Sequence, residues 1–175
     1  PIGIDPVIHK DVGKSIDFRN EDIFKFLKNN KNKFDLIMIK QTLHFFNKDK
    51  RSKLIKICKN YLKKNGVLII LSLNTSNNEI PCFRLMKQKL NRGLKRDSKM
   101  IKLICKILKN NKIDKFIFKV SITKKKYIQM LKQKYISCLV NLNKNQISKG
   151  ISELKDIYPN KIIFDDVLIC IKYKN

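Results

Sequence analysis

Two short apolar runs with a helical segment between them constrain the fold of this chain most. FDLIMI at residues 34–39 and VLIILSL at residues 67–73 have the length of β-strands, and the second is apolar throughout, as a strand buried on both faces is. Residues 48–64 place apolar side chains at helical spacing, and Asn65 and Gly66 follow as a helix stop. This order predicts a parallel strand pair with a right-handed crossover, which is α/β architecture.

Polar side chains follow two of the predicted strands. The segment KQTLH at residues 40–44 comes directly after the strand at residues 34–39, and Asp5 follows the short strand Ile2–Ile4. In open α/β sheets, ligands bind beyond the carboxyl ends of the strands. The sequence therefore predicts a site that includes Asp5 and the tip at residues 40–44.

The rest of the chain alternates helical and extended patterns without a repeat or a low-complexity linker. We expect one domain over residues 1–175, in which residues 79–112 form a helical insertion that covers the carboxyl edge of the sheet as a lid. Residues 99–112 also have the pattern of a cationic amphipathic helix that contacts an anionic membrane or a partner. The remaining predicted elements are a strand at 16–18, helices at 81–90 and 98–110, a strand at 115–121, a helix from the cap Thr123 through residue 134, a helix after the cap Asn143, and a closing strand pair at 162–164 and 167–173 around Asp165 and Asp166.

The chain carries a formal charge of +26, which is typical of proteins that bind nucleic acid or anionic membranes. Only five of the 40 basic residues are arginines, alanine is absent, and the abundant residue types have A/T-rich codons. An A/T-rich genome therefore explains the composition without selection for binding. Nucleic-acid sites also favour arginine for bidentate contacts, so nucleic acid is a partner that the sequence allows but does not favour.

The cysteines and the hydropathy pattern limit the remaining classes. The five cysteines are widely spaced without a CxxC pair, which predicts free, mostly buried thiols and no metal site. Free thiols indicate a reducing compartment such as the cytoplasm. No apolar run approaches the roughly 20 residues that span a bilayer, and we expect no transmembrane segment.

Several segments in order resemble the class I S-adenosylmethionine-dependent methyltransferases. These are GIDP, FDLIMIKQTLHFF and YLKKNGVLIILSL, followed by ITKKKYIQMLKQKYISCL and GISELKDIYPNKIIFDDVLICI. The Gln-x-x-His-aromatic-Phe pattern that begins at Gln41 is similar to the methyltransferase type 11 branch with trans-aconitate methyltransferase-like proteins. The resemblance implies a Rossmann-like, mostly parallel sheet with an antiparallel last strand, S-adenosylmethionine as cofactor and a small-molecule substrate.

The resemblance implies cofactor contacts near the first two strands. Asp5 takes the position whose carboxylate accepts the ribose hydroxyls, and its alternative is a turn residue before Pro6. Asp22 takes the position that contacts the adenine amino group, with Ile23 against the ring. Glu21 is the alternative one residue earlier, and a helix-capping role is the other interpretation of Asp22.

The resemblance places the tip at residues 40–44 between cofactor and substrate. Lys40 and Gln41 are assigned to the cofactor, and Gln41 and His44 to catalysis. Methyl transfer is a displacement at a sulfonium carbon, so the protein mainly aligns the partners, and a carboxylate acceptor requires no base. His44 is then either a base, a hydrogen-bond donor or a packed loop residue. Phe45 and Phe46 are interpreted as core residues, with a substrate platform as the alternative.

One element of the family pattern is missing from this sequence. The resemblance implies a strand and a glycine-rich loop before Gly3, and we therefore expect an N-terminally incomplete domain. The predicted function is methyl transfer to a small-molecule acceptor, with a carboxylate as the expected acceptor. The alternatives are a methyltransferase-like binding or regulatory protein, and an RNA methyltransferase that uses the basic surface.

Overall fold

A computed structural model describes residues 1–8 and 13–175 of the chain. Its strands and helices alternate, and short 3₁₀ turns at Leu43–Phe45 and Ser137–Leu139 connect some of them. In chain order the elements are β1 (Ile2–Ile4), β2 (Asp17–Arg19), α1 (Ile23–Asn29), β3 (Phe34–Lys40), α2 (Lys48–Asn60), β4 (Leu62–Leu73), α3 (Arg84–Ile107), β5 (Lys112–Thr123), α4 (Lys124–Lys132), α5 (Lys144–Ile157) and β6 (Lys161–Lys174).

The described strands form two sheets. β1 and β2 pair in parallel, and the larger sheet has the order β3-β4-β6-β5. β3 and β4 are parallel, and β6 is antiparallel to both β4 and β5. Three strands of the larger sheet therefore point the same way and the last strand opposes them, which confirms the predicted α/β sheet with an antiparallel final strand.

The predicted helix stop at Asn65 and Gly66 is wrong. Helix α2 ends at Asn60, and Leu62 already pairs with Phe34 in the sheet. Asn65 has a φ of 65°, and the register of β3 and β4 shifts over this stretch. A Cβ on Gly66 would lie 2.9 Å from the carbonyl oxygen of Phe34, so the glycine permits close approach of two strands rather than a helix end.

The predicted turn at Asp165 and Asp166 is also wrong. Both residues lie inside the continuous strand β6, where they pair with Lys119 and Phe118 of β5. A lysine opposite an aspartate is a favourable cross-strand pair, so tertiary pairing overrides the local turn preference of two adjacent aspartates.

A single helix replaces the two predicted between residues 81 and 110. α3 runs for 24 residues from Arg84 to Ile107. Gly93 does not break it, and a Cβ built there meets nothing within 4 Å. The predicted caps Thr123 and Asn143 are confirmed: Thr123 accepts the backbone N–H of Lys126, and Asn143 forms a capping box with Gln146.

Two hydrophobic cores share helix α3. Met100, Ile101 and Ile104 from its second half pack with α1, α2 and one face of the large sheet. Met86, Leu90 and Leu94 from its first half pack with α4, α5 and the end of β6. Because one rigid helix contributes to both cores, it joins the two packing units of the protein.

Candidate functional site

A cleft of about 720 Å³ runs along β1 and β3, from Ile2 and Phe34 at their amino ends to Asp5 and Lys40 beyond or at their carboxyl ends. Most of the residues that line it are apolar, and the lining also includes two carboxylates and one ammonium group. The residues used below are Ile4, Asp5, Asp22, Ile23, Lys40 and Phe45.

Asp5 is held by the turn that follows β1. One of its carboxylate oxygens, Oδ1, accepts the backbone N–H of Val7 at 2.8 Å. The Asp5 backbone carbonyl accepts the side-chain amide of Asn20 at 3.2 Å, and its backbone N–H donates to the Arg19 carbonyl at 3.3 Å. These bonds join the ends of β1 and β2, so the position of Asp5 is fixed by both strands.

Asp22 combines two tasks at the start of α1. Its Oδ1 accepts the backbone N–H groups of Phe24 at 2.8 Å and Lys25 at 3.3 Å, which is an N-cap. The same residue lines the cleft together with Ile23. The structure therefore confirms that Asp22 caps α1, and the capping residue also lies at the cleft.

The tip of β3 turns sharply after Lys40. Gln41 has a φ of 51°, in the left-handed region, and its backbone N–H donates to the Leu71 carbonyl at 2.8 Å. Lys40 lines the cleft, whereas the Gln41 side chain is outside its lining. The tight turn thus separates two neighbouring residues that the sequence analysis assigned to one site.

His44 also lies outside the cleft lining. Its ring centroid is 4.1 Å from that of Phe45, and its Nε2 is buried without a hydrogen-bond partner among the residues that the structure describes. Burial lowers the pKa of His44, the charges of Arg96 and Arg51 lower it further, and Asp97 opposes them. A lowered pKa keeps the imidazole neutral at physiological pH.

Arg51 is a structural residue that the sequence analysis missed. Its side chain is 8% exposed, its Nε donates to the Leu43 carbonyl at 3.0 Å, and its Nη2 donates to the Phe46 carbonyl at 2.6 Å. These two bonds hold both sides of the 3₁₀ turn that carries His44. Lysine supplies 35 of the 40 basic residues of this chain. An arginine on the helix after the strand tip was therefore the sequence signal for this structural role.

Phe45 and Phe46 have different roles although they are adjacent. Phe45 is 69% exposed and lines the cleft, so its predicted role as a core residue is wrong. Phe46 packs against the main core, with its ring 5.9 Å from that of Phe24 in an edge-on arrangement. The exposed ring of Phe45 gives the cleft an aromatic side.

Among the described residues, no group of three or more His, Cys, Asp or Glu side chains is arranged to hold a metal ion. No helix in the described part of the chain is long and apolar enough to cross a membrane. The five cysteines are all unpaired thiols, and burial raises the pKa of Cys58 to about 12.

The first half of the chain is similar to a known family of methyltransferase domains. A family model described as CheR methyltransferase, SAM binding domain, matches residues 4–89. The match covers 86 of the 175 residues, just under half of the chain, and makes this segment similar to the S-adenosylmethionine-binding domain of those methyltransferases. The matched segment contains Asp5, Asp22 and the tip at residues 40–44, and most of the residues that line the cleft lie within it.

Solved structures of methyltransferases share the fold of this chain. A SAM-dependent methyltransferase from Archaeoglobus fulgidus superposes with a TM-score of 0.52 at 15% identity, over 99% of this chain and 75% of that chain. A protein described as a methyltransferase from an antibiotic biosynthesis pathway of Anabaena variabilis superposes with a TM-score of 0.57 at 12% identity, over 97% of this chain and 80% of that chain. No sequence among the curated proteins matches the chain.

S-adenosylmethionine is the cofactor of this family, and the polar and apolar side chains of the cleft fit its chemistry. A nucleoside offers hydroxyl and amino donors, for which Asp5 and Asp22 supply acceptors. Ile4 and Ile23 supply apolar surface, and Lys40 supplies a cation for a carboxylate. The structure thus brings together four of the residues assigned to the cofactor, Asp5, Asp22, Ile23 and Lys40, and leaves the side chains of Gln41 and His44 outside the cleft lining.

The neutral state of His44 predicts a pH dependence of stability. Because the folded-state pKa of His44 lies below its usual value of 6.5, the unfolded chain takes up a proton there before the folded chain does. The stability contributed by the neutral ring is present above about pH 6.5 and is lost as the pH falls. Urea unfolding at about pH 7.5 and pH 5.5 is expected to show a smaller loss of stability for His44→Gln than for the wild type. His9 and the carboxylates are present in both proteins, so their contributions cancel when the two losses of stability are subtracted. Equal losses in both proteins would contradict the burial effect.

Proposed function

We propose that this methyltransferase binds S-adenosylmethionine in the cleft between β1 and β3 and methylates a small-molecule carboxylate. The observation that supports the site is the single cleft that Asp5, Asp22, Ile23 and Lys40 share. When bound, the cofactor supplies a methyl group on a sulfonium centre. The task left to the protein is to bind, to orient and to exclude water.

The proposed cofactor roles follow the polarity of the cleft. Asp5 accepts the ribose hydroxyl protons, and Asp22 accepts a hydrogen bond from the adenine amino group. Ile23 packs against the base, and Phe45 supplies aromatic surface at the same cleft. Lys40 pairs with the carboxylate of the methionine portion, because it is the cation of the strand tip that lines the cleft.

A carboxylate acceptor requires the least chemistry from the strand tip. A carboxylate is ionised at neutral pH and needs no base, whereas an alcohol or amine nucleophile carries a proton that must leave. We assign the imidazole of His44 and the amide of Gln41 to hydrogen bonds with the acceptor, and a carboxylate leaves neither side chain a proton to remove. Attraction of an anionic substrate by a chain of charge +26 supports the same acceptor class.

Replacement of Asp5 with asparagine tests the cofactor site. A charge-assisted hydrogen bond contributes about 1.5–3 kcal/mol, so D5N is expected to weaken the binding of S-adenosylhomocysteine about 10- to 100-fold. The measurement is isothermal titration calorimetry, with D156N on the exposed side of α5 as the matched control. Wild-type affinity in D5N would place the nucleoside elsewhere, and no heat with a folded wild-type chain would favour the binding or regulatory alternative.

Transfer of a radiolabelled methyl group then separates the acceptor classes. A panel of small mono-, di- and tricarboxylic acids is offered beside an RNA of mixed sequence, and base-labile methyl esters are the expected product. Label incorporated into RNA and not into any acid would overturn the carboxylate proposal and favour the RNA alternative. The salt dependence of RNA binding alone would not, because a chain this basic binds polyanions without specificity.

A further inference from the structure

A polar cluster adjoins the strand tip outside the lining of the cleft. Its members are His44 on the tip, Arg51 on α2, and Arg96 and Asp97 on α3. Leu43 of the tip and Met100 of α3 belong to the same hydrophobic core, and Asp97 lies one turn before Met100 on the same side of the helix. The charges of Asp97 and Arg96 act on His44. The same two charges act on Arg51, so core packing and electrostatics both bring the cluster together.

Asp97 is a buried carboxylate to which the proposed function assigns no role. The residue is 8% exposed, and its Oδ1 accepts the Nε–H of Arg96 at 3.1 Å. Consecutive residues of a helix point in different directions, so this bond draws the Arg96 side chain around α3 toward the buried side of the helix. A buried carboxylate is stable only when it is paired. Asp97 therefore fixes the orientation of the Arg96 guanidinium.

The Arg96 guanidinium keeps its outer edge for a ligand. Its Nη1 and Nη2 make no hydrogen bond or ion pair with any residue that the structure describes. The side chain is 57% exposed, so a solute can reach these two nitrogens. A guanidinium donates two parallel hydrogen bonds to the two oxygens of a carboxylate. Arg96 is thus oriented in advance for a planar anion.

The cluster carries one uncompensated positive charge. The guanidinium groups of Arg51 and Arg96 share a single carboxylate, and burial lowers the pKa of His44, which keeps its ring neutral. Only five of the 40 basic residues of the chain are arginines, and two of the five lie here. Because lysine is the usual cation of this chain, two arginines in one place indicate a need for guanidinium geometry.

His44 connects the cluster to the cleft. The ring centroids of His44 and Phe45 are 4.1 Å apart, and Phe45 lines the cleft. Nε2 of His44 is buried without a partner among the described residues, which is rare for a polar atom. A nearby anion favours the imidazolium form, in which both ring nitrogens donate. An anion beside His44 and Arg96 therefore lies next to the aromatic side of the cleft.

We propose that Arg96 binds a carboxylate group of the methyl acceptor, that Asp97 is the positioning residue for its guanidinium, and that His44 donates to the bound anion. This inference rests on the proposed function, because it names the residues that recognise the acceptor. His44 takes its proton from the solvent when the anion binds and returns it when the anion leaves. Binding of the acceptor is then coupled to the uptake of a proton.

NMR of the histidine rings in the full chain tests the cluster without turnover. At about 0.15 M salt, succinate is expected to raise the pKa of His44 by about one pH unit, and the uncharged succinamide is expected to leave it unchanged. Arg96→Gln is expected to abolish the succinate effect. The matched control Arg92→Gln changes another exposed arginine of α3, one turn earlier, and is expected to retain the effect.

The ligand-free variants test the geometry by opposite signs. Arg96→Gln removes a positive charge and is expected to raise the pKa of His44, whereas Asp97→Asn removes a negative charge and is expected to lower it. A His44 pKa that responds to neither substitution would overturn the inference. A succinate effect that persists in R96Q, or one that succinamide reproduces, would also overturn it.

Kinetics with a methylated acid separate binding from folding. R96Q is expected to raise KM about tenfold or more and to leave kcat within about threefold, whereas R92Q stays within about twofold in both. Equal KM values in the two variants would contradict the role of Arg96. If no acid is methylated, the proposed function fails. Loss of the succinate effect in R96Q alone would still support a carboxylate site at Arg96, so the two failures are distinguishable.

Discussion

Replacement of Phe83 with alanine is expected to lower the free energy of unfolding by about 3–5 kcal/mol. Phe83 is 0% exposed and lies directly before the first residue of α3, where it belongs to the second core. Its ring sits on Gly150 of α5, where an added Cβ would lie only 2.4 Å from ring atoms. Truncation leaves a cavity that neither helix can fill without moving, which is why the expected effect lies at the upper end for core substitutions.

Urea denaturation measures this effect, with Phe45→Ala as the control because Phe45 is 69% exposed. The control is expected to change the stability by less than about 1 kcal/mol. A loss of less than about 1 kcal/mol in F83A would mean that the contact between α3 and α5 does not contribute as the structure indicates. Gly150→Ala in the wild-type background is expected to destabilise by overpacking, and the combination with F83L should relieve part of that loss.

Replacement of Arg51 with leucine is expected to cost about 2–4 kcal/mol. Leucine retains apolar volume in α2 but removes the N–H groups that donate to the backbone carbonyls of Leu43 and Phe46. A buried acceptor without a donor costs its full desolvation penalty. Arg51→Lys is expected to recover only part of the loss, because a single ammonium group does not reproduce the two-sided geometry of the guanidinium.

The control for Arg51 is Arg92→Leu, which changes an exposed arginine of α3. Surface substitutions of this kind usually stay within about 0.5 kcal/mol. Chemical denaturation of the three variants beside the wild type gives the comparison. Equal stabilities of R51L and R92L would show that the turn at Leu43–Phe45 holds its shape without the arginine.

The fold was predictable wherever local pattern and tertiary packing agree. β3 was predicted at residues 34–39 and observed at Phe34–Lys40, because its apolar run has no competing helical period. The cap at Asn143 was predicted from one residue type in the right place, and the structure adds a capping box with Gln146. The failures at Gly66 and Asp165 have a common cause: a glycine or two aspartates signal a turn locally, whereas strand pairing across the sheet decides their conformation.

The site residues were predictable only where the strand topology determines their position. The rule that ligands bind beyond strand ends brought Asp5 and Lys40 to one edge, and both line the cleft. The pKa of His44 depends on burial and on the charges of Asp97 and Arg96, which lie on α3 some fifty residues further along the chain. Interactions over that separation leave no periodic signal near His44, so its environment could not be derived from the strand tip alone.

The central position of β6 has a consequence for biosynthesis. β6 is translated after the other strands of the described sheet, yet it lies between β4 and β5 and provides the only hydrogen-bonded link between them there. From residue 73 to residue 174 the ribosome needs roughly 5–20 s. Throughout that interval the nascent VLIILSL segment lacks its second neighbour, so we expect this chain to acquire its sheet after translation and to depend on chaperones while it waits.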